Sequence, residues 1–211
     1  MSFRSTKLAI ALGTAGLAAA GLALAATASS AAPQPKTVNF GIVRSAAAQG
    51  AGCLANAHAS VKVTPNGITE IMDVDVSGMP ANTDFDLFVI QVPNAPFGVS
   101  WYQGDLETDG NGNGHGEYVG RFSVETFAVA PGTAPAPSVH SSPIPDATSN
   151  PAFGPIHTYH LGLWFNDPAD AGKAGCPTTV TPFNGEHNAG VQALSTRNAP
   201  DDKGPLRHVV S

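Results

Sequence analysis

Thr83-Asp84-Phe85-Asp86-Leu87-Phe88-Val89-Ile90-Gln91-Val92 is the stretch on which the fold reading turns. Phe85, Leu87 and Val89 fall on one side of an extended chain, and Phe88, Ile90 and Val92 on the other. A strand alternates its side chains between two faces, so apolar residues on both sides predict a central strand covered twice. Asp84 and Asp86 sit at its start, where water is expected to reach them.

The segments around it alternate as half-buried strands do. In residues 57–64, His58, Ser60, Lys62 and Thr64 share one face, and Ala59, Val61 and Val63 the other. Pro65-Asn66-Gly67 then supplies a turn, because Asn and Gly accept positive φ. In residues 68–77, Met72, Val74 and Val76 alternate with Asp73, Asp75 and Ser77, completing a hairpin. A second hairpin is expected from 101–108 and 117–129, around Asp109-Gly110-Asn111-Gly112-Asn113-Gly114. Further strands are read at 37–43, at 157–165, and around Phe183 and Val191. Residues 45–52 are too short to read as a helix. Asp167 followed by Pro168 is a helix start, with a side-chain cap and a proline in the first turn. It predicts one short helix over 168–173.

Many short strands, Gly/Pro turns and almost no helical periodicity predict an all-β fold, an antiparallel β-sandwich of immunoglobulin-like or jelly-roll-like type. A closed barrel is the alternative. Residues 38–196 read as a single domain. Within it, 131–155 hold seven prolines in 25 positions, which rules out a central strand and predicts a long surface loop. Residues 29–37 read as a disordered lead-in and 197–211 as a flexible tail.

The first 28 residues read as a signal peptide. Arg4 and Lys7 open it, an apolar run over 8–26 follows, and Ala26-Thr27-Ala28 fits the cleavage pattern. Removing Arg4 and Lys7 leaves eight basic against 16 acidic residues, a net charge of −8. That balance, with no basic cluster, argues against nucleic-acid binding. No apolar tail ends the chain, so a secreted protein without a stable membrane anchor is expected. In an oxidising compartment the two cysteines, Cys53 and Cys176, are expected to pair.

Five constellations could carry chemistry or binding. Asp109, Asn111, Asn113 and Glu117 match the first part of a calcium loop, although position twelve is Gly120. The competing reading is a hairpin turn that needs Gly and Asn. His157, His160 and His187 are the histidines to test as a transition-metal site, out of a set that includes His115 and His140. Asp73/Asp75 and Asp84/Asp86 are i, i+2 carboxylate pairs, a pattern that usually marks a solvated face. Glu186-His187 could be a base and its orienter, but lacks a nucleophile motif. Trp101, Tyr102 and Trp164, with Phe97 and Tyr159, could form a ligand platform.

The stretches at 83–89, Trp101-Tyr102-Gln103-Gly104-Asp105, His160-Leu161-Gly162-Leu163-Trp164-Phe165 and Phe183-Asn184-Gly185-Glu186-His187-Asn188-Ala189-Gly190 resemble those of small uncharacterised secreted β-rich proteins of actinobacterial type. The resemblance covers about 53–196 and implies export and a β-sandwich. It implies no activity and transfers no catalytic residue. The export signal, the lack of a nucleophile motif and the expected disulfide point to a non-enzymatic module that binds an extracellular or cell-wall partner and requires no cofactor. The alternative is a secreted metal-binding protein or metal-dependent enzyme using a histidine cluster, with calcium or a transition metal bound.

Overall fold

The computed structural model describes residues 35–98, 100–123, 158–182 and 184–209. The signal peptide, the lead-in up to residue 34, the proline-rich 131–155 and His157 lie outside them.

The described chain forms eight strands: β1 Val38–Arg44, β2 His58–Asn66, β3 Thr69–Ser77, β4 Asp84–Ile90, β5 Ser100–Glu107, β6 Gly114–Gly120, β7 His160–Phe165 and β8 Gln192–Ser195. They make one sheet in the order β5-β4-β7-β8-β1-β2-β3-β6, and every pairing is antiparallel. The all-β expectation holds. Strand β1 joins two halves, pairing with β2 over Val38 to Ile42 and with β8 at Val43 and Arg44.

The alternation read in the sequence is what the sheet buries. Ala59, Val61 and Val63 of β2 and Met72, Val74 and Val76 of β3 lie in the core, with their polar neighbours outward. Gly67, at φ +64°, turns the hairpin, and Asn66 pairs with Thr69. Phe85, Leu87 and Val89 of β4 join the same core, against Leu161, Leu163 and Phe165 of β7. Phe88 and Ile90 point the other way and are also buried, so β4 is covered on both faces as expected.

Two edge strands remain, β5 and β6, and an aromatic side chain joins them. The Tyr118 hydroxyl donates to the Asp105 carbonyl at 2.9 Å. Its ring occupies space that side chains would otherwise fill. A Cβ at Gly104 would stand 2.9 Å from the ring, and one at Gly116 2.3 Å from the hydroxyl. Tyr118→Phe is expected to lower stability by about 1 kcal/mol, one partly buried hydrogen bond, in urea unfolding. No loss would mean that this bond does not hold the seam in solution.

Helix α2, Pro168–Lys173, starts where the sequence places it, with the Asp167 carboxylate accepting from the Ala169 N–H at 2.7 Å. The structure departs from the sequence reading in two places. Residues 46–51 do form a helix, α1 Ala46–Ala51, because the Ser45 hydroxyl oxygen accepts from the Ala48 N–H while donating to the Gln192 carbonyl of β8. A tertiary partner stabilises what is too short to stand alone. The stretch after Asn198 is also not a free tail through residue 209. Pro205–His208 forms a 3-10 turn, Leu206 is fully buried, and its N–H donates to the Tyr159 carbonyl at 3.2 Å. Leu206 and Val209, the apolar residues of this stretch, both enter the core and anchor it.

The cysteines pair as expected. Cys53 and Cys176 form a disulfide with Cα atoms 5.4 Å apart, both buried. Each follows a helix: the Cys53 N–H donates to Ala48 and the Cys176 N–H to Ala171.

Candidate functional site

The side of β4 turned away from the main core carries the polar chemistry of the described chain. Cross-strand neighbours share a face. Asp84 stands opposite Glu107 of β5, Asp86 opposite Asp105, and Phe88 opposite Tyr102. On the other flank Asp86 stands opposite Trp164 of β7, and Trp164 opposite Gln192 of β8. A bulge at Gln103-Gly104 shifts the β5 register by one residue between the acidic and aromatic parts.

The aromatic part is a chain of edge-to-face rings. Phe88 packs on Tyr102 with centroids 5.6 Å apart, Phe88 on Trp164 at 5.4 Å, and Phe97 on Trp164 at 4.9 Å. Gly162 makes room for it, since a Cβ there would fall 2.3 Å from the Trp164 ring. Only Tyr102 of this chain is substantially exposed, at 48%.

The acidic part runs against the sequence expectation. Asp84 is partly buried and Asp86 is only 2% exposed, so Asp86 is not at a wetted strand start. Burial pushes the Asp86 carboxyl up to about 7, helped by the charges of Asp105 and Asp84, a hydrogen bond with Asp105, and Glu186. Asp84 is raised too, by burial first and then by Asp105 and Glu107. Asp84 Oδ1 and Asp86 Oδ2 are shielded from water and accept no hydrogen bond. Tyr102 donates its hydroxyl to Asp105 Oδ1 at 2.7 Å; burial first, and then this bond, raises its own proton affinity.

The predicted platform is only partly assembled. Trp101 and Tyr102 are 49% and 48% exposed on β5. They point to opposite faces, Trp101 with Val89 and Tyr102 with Phe88. Trp164 is fully buried behind Phe88. At the glycine-rich turn, Asp109 Oδ1 accepts from the N–H groups of Asn111 and Asn113, both at 2.8 Å. These bonds hold its carboxyl below the usual range and give it a turn-building role. Glu117 stands in register with Asp73 on β3.

Of the three histidines, His157 lies outside the described residues, and His160 and His187 sit on different segments, β7 and a loop. His160 is buried, and its Nε2–H donates to the Asp201 carbonyl at 3.1 Å. A carbonyl only accepts, so Nδ1 is the acceptor for the Thr196 hydroxyl at 2.9 Å. Both ring nitrogens are engaged, and burial holds the ring neutral. His187 is exposed in the loop after Asn184, at φ +59°. Among the described residues no three His, Cys, Asp or Glu side chains are placed to hold a metal ion. On the far sheet half, Asp75 is exposed and pairs with His115 at 2.8 Å, and Asp73 stands opposite Lys62.

Sequence reasoning overlooked the partnership of Asp86 with Asp105 and of Asp84 with Glu107. The missing information was the register of β4 with β5, set across the nine residues between them and then altered by a bulge. No family model, curated protein or solved structure matches the chain.

Proposed function

We propose that this protein is an exported binding module, without catalytic activity, whose partner is an extracellular or cell-wall polymer docking along β5 and the adjoining face of β4. The observation that carries this reading is the pair Trp101 and Tyr102, each about half exposed, on a strand that also presents the exposed carboxylates Asp105 and Glu107. Exposed rings beside carboxylates suit a polyhydroxylated or amine-bearing polymer: the rings stack and the carboxylates accept hydrogen bonds. The two rings grip β5 from both sides, which favours an extended ligand lying along the edge.

Export is supported by the basic-then-apolar start of the chain and by the buried disulfide. No helix among the described residues is long and apolar enough to cross a membrane. We read the finer architecture as a sheet folded over at β1 into two facing halves, a sandwich with one nearly closed seam. The split pairing of β1 and the Tyr118 bond to β5 support this.

The test is retention on insoluble cell-wall material from the source organism. The wild-type protein is expected to bind, and Trp101→Ala/Tyr102→Ala to lose at least tenfold in affinity with little change in melting temperature. Undiminished retention of the double variant would overturn the assignment of the surface, and no retention of the wild type would overturn the cell-wall partner.

A further inference from the structure

We infer that Ser77 is a nucleophile that takes an acyl group from an activated ester, with His58 as its base. The site sits where β2 begins and β3 ends, and it does not rest on the docking face proposed above. The chain itself is the acyl acceptor, so that face keeps its binding role.

Two hydrogen bonds set the direction of proton flow. His58 and Ser77 are directly opposed across the β2–β3 hairpin. His58 Nδ1 lies 3.0 Å from the Asn56 carbonyl oxygen. A carbonyl only accepts, so Nδ1 carries the hydrogen. In the neutral ring Nε2 is then the acceptor, and the Ser77 hydroxyl donates to it at 2.9 Å. Nucleophile, base and a group that orients the base are thereby linked in sequence, the arrangement that activates a serine hydroxyl. His160 makes a similar relay, with the Thr196 hydroxyl on one nitrogen and the Asp201 carbonyl on the other. His160 and Thr196 are both buried, whereas His58 is exposed and Ser77 half-buried. An ester in solution reaches only the His58 relay.

The orienting carbonyl is held from several sides. Asn56 lies in a turn where the Ala57 N–H donates to the Leu54 carbonyl at 3.0 Å. That turn starts at Cys53, which is tied to Cys176 and whose carbonyl accepts from Arg44. Gly78 follows Ser77 directly and has φ +66°. A Cβ there would stand 2.3 Å from the Asn56 carbonyl oxygen, so glycine is what lets the two turns meet. The same approach brings the Asn56 side chain beside the nucleophile, its Cβ 3.2 Å from the place a Cβ on Gly78 would take. An asparagine amide so placed supplies N–H donors for an oxyanion.

The step balances without a further reactant. Ser77 Oγ attacks the ester carbonyl carbon while its proton passes to His58 Nε2. The carbonyl oxygen becomes an oxyanion, toward which Asn56 turns its amide. The oxyanion collapses, the bond to the leaving oxygen breaks, and His58 returns the proton to that oxygen. An acyl ester on Ser77 and a free alcohol remain, with His58 neutral again.

The experiment treats the purified, oxidised protein with p-nitrophenyl acetate, followed by p-nitrophenolate release, and separately with diisopropyl fluorophosphate, followed by peptide mapping. The second reagent exchanges its P–F bond for a stable P–O bond on an activated serine. A rapid release of about one equivalent of p-nitrophenolate per chain is expected, with the phosphoryl group on Ser77. Both reactions should be lost in Ser77→Ala and slowed by about a hundredfold or more in His58→Ala. Asn56→Ala should slow them by about tenfold or more, and His115→Ala, at another exposed histidine, should leave them unchanged. Wild-type melting temperatures in these variants guard against a fold defect. Absence of label on Ser77, or labelling of Ser77 at the wild-type rate in His58→Ala, would overturn the proposal. So would labelling spread evenly over the serines of the chain. None of these outcomes bears on the retention test of Trp101 and Tyr102.

Discussion

Replacing both cysteines, Cys53→Ala/Cys176→Ala, is expected to destabilise the protein by about 4–5 kcal/mol. The bond joins positions 123 apart. A crosslink of that span removes much of the unfolded chain's freedom, and the chain-entropy relation gives about that magnitude. For a chain of this size, each kcal/mol lowers the melting temperature by about 2–4 °C, so a fall of about 10–15 °C follows. The bond fixes the segments following both helices in one buried place, Cys53 after α1 and Cys176 after α2. Alanine avoids leaving a buried hydroxyl that would confuse the reading. Reduction of the wild type should give a similar loss. A variant melting within about 3 °C of the wild type would show that the bond adds little to the native fold.

The second large effect concerns Asp86 and has a definite pH window. Its carboxyl is raised in the folded state, from an ordinary value near 3.8 to about 7. Between those values the folded state keeps a proton that the unfolded state has released. Stability contributed by this group is therefore present at acid pH, declines as pH rises from about 4 to 7, and is level above that. The full shift would correspond to about 4 kcal/mol, and exposure of the partner Asp105 to water reduces this to about 1–3 kcal/mol. Asp86→Asn removes the ionisation and supplies N–H donors toward Asp105. It should match the wild type near pH 4 and exceed it by about 1–3 kcal/mol at pH 8, in urea unfolding across that range. Asp84 acts in the same direction, and His160, whose proton affinity is lowered by burial, adds its own dependence at acid pH. The His160 dependence is common to the two proteins and cancels in the difference, whereas Asp84, whose charge acts on Asp86, contributes to it in the same direction. A variant less stable than the wild type at pH 8 would show that the charged carboxylate is stabilising and has a partner this account omits.

The sequence made local structure legible where neighbours in the chain are also neighbours in space. The β2–β3 hairpin follows from two alternating runs around Asn66-Gly67, and α2 follows from Asp167 and Pro168. It gave little on what distant segments do to each other. Helix α1 depends on Ser45 reaching β8, and the final turn depends on Leu206 entering the core. The acidic face was hidden for the same reason. Asp84 and Asp86 were visible as a pair along one strand, the arrangement of a solvated face. Their partners Glu107 and Asp105 come from a strand beyond a loop and a bulge. Likewise, Trp101 and Tyr102 were visible as exposed candidates, but the burial of Trp164 follows only from its place between Phe88 and Phe97.

The docking face is tested most directly by amide chemical-shift mapping of the oxidised protein, titrated with soluble cell-wall glycan fragments that carry their peptide stems. Shifts centred on residues 83–88 and 100–108 are expected, with residues 58–63 and 71–76 unmoved. Shifts centred on 58–77, with 100–108 unmoved, would contradict it.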